Sequence, residues 1–200
     1  MSLTLKLNAA VAERDLLKHP FYQAWSAGTL PVEDLQTYAR EYGAFIGMLP
    51  RAWETLKDAE TAQEEREHAD MWRDFAAALG TRVDGSPQIA QVTELAATAS
   101  RLFEHPATAA GALYAFEVQQ PATAQSKLAG LKAHYRLPAA VEPYFELHSH
   151  NEHEAAKLLN RIEAFSEEDR ARCSQACAQM ADALWNALSG IYGEERMKDC

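Results

Sequence analysis

The chain has 200 residues, of which 48% are hydrophobic, and a formal net charge of −10. This length and hydrophobic content suffice for a sizeable core, and no glycine-, serine- or proline-rich linker divides the chain, so we expect one domain over residues 1–200. The acidic balance and the lack of a lysine and arginine cluster argue against a nucleic-acid or anionic-membrane partner, because neutralising phosphates requires basic residues gathered on one face.

Apolar runs and cysteines indicate the compartment. The first residues carry no apolar core long enough for a signal peptide, and no later segment approaches the ~18 uncharged apolar residues of a membrane span. Cys173 and Cys177 lie one helical turn apart and Cys200 is the last residue, which gives neither a disulfide framework nor a CxxC pair. We therefore expect a cytoplasmic protein with reduced, structural thiols.

Helical periodicity runs through the whole chain. In the first half it predicts helices from Leu5 to Lys18, briefly after Pro20, from Pro31 to about Pro50, and from about Trp53 to Leu79. In the second half it predicts helices from Gln88 to Glu104, from Ala107 to His134 with a kink at Pro121, from Ala139 to Phe165, and from about Ser166 to Tyr192. No segment shows the alternation of a strand, so the predicted fold class is all-α.

One carboxylate, Glu117, lies inside the otherwise apolar helical run from Gly111 to Lys127. A buried carboxylate costs several kcal/mol unless it is paired, protonated or bound to a cation. The sequence therefore predicts a partner opposite Glu117. A buried arginine or lysine would satisfy the charge without any chemistry, and a metal ion is the functional alternative.

A second carboxylate comes with an imidazole. Glu65 and His68 form an E-x-x-H motif on the helix that ends at Leu79, and His68 continues the apolar stripe of Trp72. This spacing puts both side chains on one side of one turn, as in helical di-iron carboxylate proteins. By itself the motif is weak, because acidic surface helices match it by chance.

A third predicted core face carries His148 and, one turn later, Glu152, while His150 and His153 point to other sides of that helix. Three helices thus offer carboxylates and imidazoles to one interior. A nitrogen and oxygen ligand set of this kind suits iron or manganese better than a thiolate zinc site. A buried polar network without metal is the alternative interpretation.

Four stretches resemble segments of a known family: HPFYQAWSAGTLPVEDLQTYAREYGAFIGMLPR, HADMWRDFAAALG, GALYAFEVQQPATAQSKLAGLKAHY and YFELHSHNE. They are similar to CADD-type (death-domain-associating) proteins, which share the haem-oxygenase-like helical fold with TenA and the pyrroloquinoline-quinone synthase. The third stretch, which matches the L-Y-x-Y-E-x-Q-x-P-x-x-A-x-x-K pattern, is the most specific. The resemblance implies a haem-oxygenase-like bundle and a non-haem di-iron oxidase or oxygenase, a group that includes p-aminobenzoate-forming enzymes and undecene-forming fatty-acid decarboxylases.

The resemblance also implies metal ligands, at Glu65 (with Glu64 as its alternate), His68, Glu117, His148 and Glu152. Glu152 stands where the family has aspartate. The last histidine of the family pattern H-x-x-x-D-x-x-H falls on Ala155, which cannot bind metal. The second iron is therefore expected to be weak, differently ligated or absent.

Tyr22 and Lys127 match a tyrosine and a lysine implicated in the p-aminobenzoate-forming members, where the tyrosine is consumed as the aromatic source. The alternatives are that Tyr22 packs in the core and that Lys127 is a surface charge. Phe116 replaces a family tyrosine, which lessens the options for a radical relay. Aromatic residues at helical spacing indicate either an apolar cavity or ordinary core: Tyr38, Tyr42, Phe45, Tyr114 and Phe116.

We therefore expect a protein that binds one or two iron ions, or less favourably manganese, and uses dioxygen to oxidise a small organic substrate or its own Tyr22. An interaction or sensor module that has kept the fold with a degraded metal site is the main alternative. A TenA-type hydrolase is disfavoured because the middle helices contain no cysteine nucleophile. A haem oxygenase would have His19 as its sole candidate ligand. A homodimer is left open.

Overall fold

The computed structural model describes residues 3–151 and 153–198. In chain order, the α-helices of these residues are α1 (Leu3–Ala12), α2 (Pro20–Ser26), α3 (Val32–Ile46), α4 (Leu49–Thr55), α5 (Ala59–Ala78), α6 (Ala90–Leu102), α7 (Pro106–Glu117), α8 (Gln120–His134), α9 (Pro143–His148), α10 (His153–Glu163), α11 (Glu167–Tyr192) and α12 (Glu194–Lys198). Short 3₁₀ turns lie at Leu16–Lys18 and Ala139–Val141. None of the described residues forms a strand, and the predicted all-α class is confirmed.

The buried helix α7 forms the centre of the bundle. Its residues from Ala109 to Glu117 are all buried, as expected for a helix that is apolar on every side. The long helix α11 packs along it, and α4 and α10 contact other faces of α7. Glu117, the last residue of α7, is therefore held in the interior by packing on all sides.

Pro121 and Pro50 lie in the first turns of helices and not inside them. The predicted helix from Ala107 to His134 is divided, because α7 ends at Glu117 and α8 starts with Pro121 in its first turn. In the same way α3 ends at Ile46, before Pro50, which lies in the first turn of α4. Proline fits a first turn because its missing N–H has no partner there anyway. The prediction of one kinked helix through Pro121 was wrong.

The first predicted helix is also shorter than expected. α1 ends at Ala12, and the carboxylate of Asp15 accepts a hydrogen bond from the Leu17 backbone N–H at 3.1 Å, which caps the following 3₁₀ turn. A side chain that bonds to the backbone in this way competes with continuation of the helix.

The predicted helix from Ala139 to Phe165 is broken after His148. α10 then begins a new register at His153, and its buried residues are Glu154, Leu158 and Ile162. On one continuous helix Glu154 would lie about 240° around from His148, so both could not face the interior. The break allows both to do so. Glu152, predicted to continue the face of His148, lies outside the described residues.

Cys173 and Cys177 are free and buried. No helix in the described ranges is long and apolar enough to cross a membrane.

The contact between α7 and α11 generates a prediction about stability. A Cβ atom added at Gly111 would lie 2.1 Å from the Cys173 carbonyl oxygen, which is part of rigid helix backbone. We expect Gly111→Ala to lower the free energy of unfolding by at least about 2 kcal/mol, which corresponds to a fall in Tm of at least about 4 °C for a chain of this size.

Gly47→Ala is the matched control for this variant, because its nearest new contact is an ordinary 3.5 Å. Thermal unfolding followed by circular dichroism measures both variants. Equal Tm values for Gly111→Ala and Gly47→Ala would contradict the close approach of α7 and α11.

Candidate metal centre

Five buried polar side chains from four helices converge at one end of α7. Glu65 and His68 come from α5, Glu117 from α7, His148 from α9 and Glu154 from α10, and each is at most 9% exposed. Ligand atoms of Glu65, His68 and Glu154 all lie within 4.8 Å of one another. The His68 and His148 rings contact edge to face, with centroids 4.6 Å apart.

Several of these buried atoms have no hydrogen-bond partner. They are Oε1 of Glu117, both carboxylate oxygens of Glu154 and Nδ1 of His68, which is 3.5 Å from Oε1 of Glu65. Among the described residues, no lysine or arginine forms an ion pair with Glu65, Glu117 or Glu154. Buried polar groups without partners are rare in native proteins, and an absent ion is one explanation. Three carboxylates and two imidazoles fit an iron or manganese ion.

The carboxylates shift one another's ionisation. Burial raises the pKa of Glu117 well above its ordinary value, and the negative charges of Glu154 and Glu65 raise it further. Burial also raises the pKa of Glu65, although the nearby imidazole of His68 partly opposes this. Burial alone would lower the pKa of His68, but the neighbouring carboxylates outweigh it, so the pKa is raised. The cluster therefore favours bound positive charge.

His148 is oriented by its own helix. Its Nδ1 donates a 2.7 Å hydrogen bond to the Tyr144 carbonyl oxygen, which can only accept. The Nε2 atom is thereby left with a free lone pair. Burial lowers the pKa of His148 to about 3, so the ring is neutral at physiological pH. A neutral imidazole whose other nitrogen is held by a carbonyl is the usual form of a metal-binding histidine.

Four other positions that the sequence analysis considered as ligand positions lie near this cluster. Glu64 is half-buried and lines a groove of about 420 Å³ that reaches His68 and Glu154 from the surface. Ala155 is half-buried and packs against the core. His150 and His153 are exposed, as the helical spacing predicted.

Glu154 was missed by the sequence analysis, which assumed one helix through this region. Its spacing to Leu158 and Ile162 is that of a helical face, so the pattern was present in the sequence. The break after His148 that changes its direction could not be inferred from this pattern.

Tyr22 and Lys127 meet in a second buried cluster. The Tyr22 and Tyr38 hydroxyls are 3.0 Å apart, and Nζ of Lys127 donates to the Tyr38 hydroxyl at 3.3 Å. The same Nζ lies 5.0 Å from the centroid of the Tyr22 ring. Lys127 is only 3% exposed, which excludes the alternative of a surface charge. Burial lowers the pKa of its amine to about 7.

A small cavity adjoins this cluster. Its volume is about 10 Å³, which is room for about one water molecule. Three of the aromatic residues predicted to line a cavity do so, namely Tyr38, Tyr42 and Phe116. Tyr114 instead donates a hydrogen bond to Asn8 Oδ1 at 2.6 Å.

Aromatic rings in contact connect the two clusters. Centroid distances along the path are 6.3 Å from Tyr22 to Tyr38, 5.4 Å from Tyr38 to Trp72, 4.8 Å from Trp72 to Tyr144 and 4.1 Å from Tyr144 to His148. The path therefore does not require Phe116.

His19, the sole candidate for a haem ligand, uses both ring nitrogens in protein contacts. Its Nδ1 accepts a hydrogen bond from the Phe21 backbone N–H at 3.1 Å, and its Nε2 is 3.0 Å from the Ser189 hydroxyl. The residue caps α2 and is fully buried, so its role is structural.

The chain is similar to proteins of a known family. Residues 36–185 match the haem-oxygenase-like family described as "Iron-containing redox enzyme". Proteins named 4-aminobenzoate synthase are similar over nearly the whole chain. That of Chlamydia pneumoniae is 29% identical over 97% of this chain and 96% of its own. That of Nitrosomonas europaea is 30% identical over 94% of this chain and 89% of its own. The chain belongs to this family of iron-containing redox enzymes.

Solved structures show the same fold at low sequence identity. A haem-oxygenase-like domain from Shewanella denitrificans aligns with a TM-score of 0.81 and 15% identity over 100% of this chain and 95% of its own. A TenA homologue from Pseudomonas syringae aligns with a TM-score of 0.75 and 16% identity over 95% of this chain and 90% of its own. A CADD-like protein from Nostoc punctiforme aligns with a TM-score of 0.63 and 18% identity over 95% of this chain and 98% of its own. The expected haem-oxygenase-like fold is confirmed.

The electrostatics of Glu117 generate a prediction about pH. Because the folded-state pKa is raised above the ordinary 4.5, the folded protein holds this proton to higher pH than the unfolded chain does. The stability of the metal-free protein should fall as pH rises from about 4.5 through the raised pKa. We expect Glu117→Gln to raise the metal-free free energy of unfolding by at least about 1 kcal/mol at pH 8, with a smaller gain near pH 5.

Denaturant unfolding in chelator at both pH values measures this effect, and Glu94→Gln, at an exposed position, serves as the control. An equal gain from Glu117→Gln at both pH values would show that relieved charge is not its cause.

Proposed function

We propose that the protein is a non-haem iron-dependent oxidase that uses dioxygen to convert its own Tyr22 into p-aminobenzoate, with Lys127 as the source of the amine. The proposal rests on the buried amine of Lys127, whose Nζ lies 5.0 Å from the centroid of the Tyr22 ring. The names of the curated relatives, 4-aminobenzoate synthase, agree with it.

The proposed ligands are Glu65, His68, Glu117, His148 and Glu154. Glu152, which the family resemblance implies, is a further candidate. Iron at this site would supply dioxygen binding and one-electron oxidation, and manganese is the alternative ion with a similar ligand preference. The unpartnered oxygens of Glu117 and Glu154 support this assignment, because they would be costly to bury without a cation.

Burial keeps Tyr22 in the protonated state. Burial raises the pKa of Tyr22, so the hydroxyl remains a phenol at physiological pH. When the ring is oxidised, the phenolic proton can pass to the Tyr38 hydroxyl while Tyr38 gives its own proton to the neutral amine of Lys127. The chain of rings through Trp72 and Tyr144 offers a route for the electron towards His148.

Lys127 is prepared to act as an amine. With a pKa of about 7, a large fraction of the amine is neutral near neutral pH and has a free lone pair. Desolvated lysines of this kind are effective nucleophiles. Among the described residues, the contacts of the Lys127 amine are uncharged. They are the Tyr38 hydroxyl and the rings of Tyr22, Tyr38 and Phe145.

The small cavity favours Tyr22 over an external substrate. A volume of about 10 Å³ beside Tyr22 and Lys127 cannot hold an organic molecule. The groove of about 420 Å³ beside His68 and Glu154 supports the second candidate, oxidation of a small external substrate such as an organic acid. A binding or sensor module without catalysis is the non-enzymatic alternative, which the loss of the family histidine at Ala155 motivates.

Product formation tests the role of Tyr22. We expect iron(II)-loaded protein, given dioxygen and a reductant, to release at most one p-aminobenzoate per chain and to lose mass at the peptide containing Tyr22, because the tyrosine is consumed. Tyr22→Phe should abolish the product. Tyr135→Phe, which removes a half-buried phenol elsewhere, should not.

The outcome also separates the alternatives. An intact Tyr22 peptide, with dioxygen uptake only when an organic acid is added, would favour the external substrate. No dioxygen uptake at any iron loading would favour the binding module.

The amine role of Lys127 has its own test. Lys127→Met removes the nitrogen and keeps an unbranched apolar side chain only one atom shorter, so we expect the product to be lost while the iron content is unchanged. Lys132→Met is the matched control on the exposed side of α8, where Lys132 pairs with Glu142 and Glu146. Mass spectrometry of product and elemental analysis of protein provide the two measurements. Undiminished p-aminobenzoate from Lys127→Met would refute the assignment.

A further inference from the structure

A pocket of about 270 Å³ opens at the surface, lined by residues of α1, of the turn after it and of the start of α8. This α1/α8 pocket adjoins the small cavity beside Tyr22 and Lys127, because Gln119 and Thr123 line both. The two residues are 8% and 3% exposed, so their side chains fill the space between pocket and cavity. Single side chains therefore separate the surface pocket from the site proposed for the chemistry.

The 3₁₀ turn before α2 completes this wall. Leu16 lines the small cavity, while the next residue, Leu17, lines the α1/α8 pocket and is 37% exposed. Gln119 holds the turn, because its Oε1 accepts a hydrogen bond from the Leu16 backbone N–H at 2.9 Å. Its Nε2 donates to the Ala115 carbonyl oxygen at 2.9 Å. One side chain thus ties the turn to α7.

The reaction proposed for Tyr22 requires an exit. Tyr22 is 4% exposed, and the cavity of about 10 Å³ beside it has room for about one water molecule. An aromatic acid made from this side chain must therefore pass a wall to reach solvent. At Gln119 and Thr123 the far side of the wall is already a pocket. Rotation of side chains and movement of a short turn are faster than typical enzyme turnover, so such a wall can open.

The lining of the α1/α8 pocket suits one aromatic ring. Its volume lies just below the range of about 300–1,000 Å³ that is usual for drug-sized ligands, which fits a smaller molecule. Apolar side chains supply much of the contact surface for a ring: Val11, Ala12, Leu17, Val118 and Ala122.

Polar groups in the same lining can orient such a ligand. The Asp15 carboxylate accepts a hydrogen bond from the Leu17 N–H at 3.1 Å and lies 3.2 Å from Nζ of Lys18, and it can accept a further bond from an aromatic amine. Asn8 Oδ1 accepts from the Tyr114 hydroxyl at 2.6 Å. The amide nitrogen of Asn8 can only donate, which suits a carboxylate.

We propose that the α1/α8 pocket binds a single-ring aromatic acid, the chemical class of p-aminobenzoate, and that the product leaves the Tyr22 cavity through the wall of Gln119 and Thr123. This inference rests on the proposed function, because that function defines the product. The groove of about 420 Å³ beside His68 is a less favourable exit, since among the described residues it shares no lining residue with the Tyr22 cavity.

Binding of added p-aminobenzoate to the full chain tests the pocket, by isothermal titration calorimetry with iron(II) and without dioxygen. Ala122→Trp places a large side chain in the space of the ligand, so we expect the affinity to fall at least ~10-fold. Ala129→Trp, about two turns further along α8, is also at an exposed position but outside the pocket and should bind like the unmodified protein. Benzoate, which lacks the amine, should bind more weakly than p-aminobenzoate.

Release of the product tests the path. After reaction with dioxygen, p-aminobenzoate in the filtrate is compared with the total freed by denaturing the protein. We expect Ala122→Trp to form the same total as the unmodified protein but to retain a larger fraction of it, whereas Ala129→Trp should release it normally. Gln119→Ala removes the bond that holds the turn and should shorten the half-time of release.

The outcomes separate this inference from the proposed function. Equal binding of p-aminobenzoate by Ala122→Trp and the unmodified protein, or a dimer that Ala122→Trp dissociates without any bound p-aminobenzoate, would overturn the binding site. Weaker binding with unchanged release from Ala122→Trp would support the site and overturn the path. A total that contains no p-aminobenzoate would contradict the proposed function and the path, and the binding comparison would still decide the site.

Discussion

The burial of three carboxylates, Glu65, Glu117 and Glu154, in one small volume is the main electrostatic constraint on this structure. Ionised carboxylates lose several kcal/mol each on leaving water, and like charges close together add to that cost. Packing on every side of α7 holds Glu117 in place despite the cost. The imidazoles of His68 and His148 lie in the same cluster, and the proposed cation is a partner that would satisfy all five groups.

Helix ends bring these groups together. Glu117 is the last residue of α7 and His148 the last of α9, while Glu154 lies in the first turn of α10. A helix end can change the direction of the chain within a few residues, which a continuous helix cannot do. The break after His148 therefore turns both His148 and Glu154 inward, and it leaves His153 at the surface beside Glu64.

Much of the fold follows from local patterns, because apolar residues at helical spacing and proline at first turns are properties of neighbouring residues. The burial of Glu117 follows in the same way, from the apolar run around it. Glu154 does not, since its direction depends on where α10 begins, and helical spacing from His148 does not give that position. The contact of Lys127 with Tyr22 is likewise tertiary, because it joins α8 to α2. The family resemblance pointed to both residues, but only the structure shows the distance between them.

Anomalous diffraction at the iron absorption edge, on crystals grown with iron(II) in the absence of dioxygen, would show whether iron binds in this cluster. We predict an iron peak within bonding distance, about 2.0 to 2.2 Å, of both Glu117 and the Nε2 atom of His148. No iron peak at this position, with the carboxylates of Glu117 and Glu154 sharing a proton in a short hydrogen bond, would contradict it.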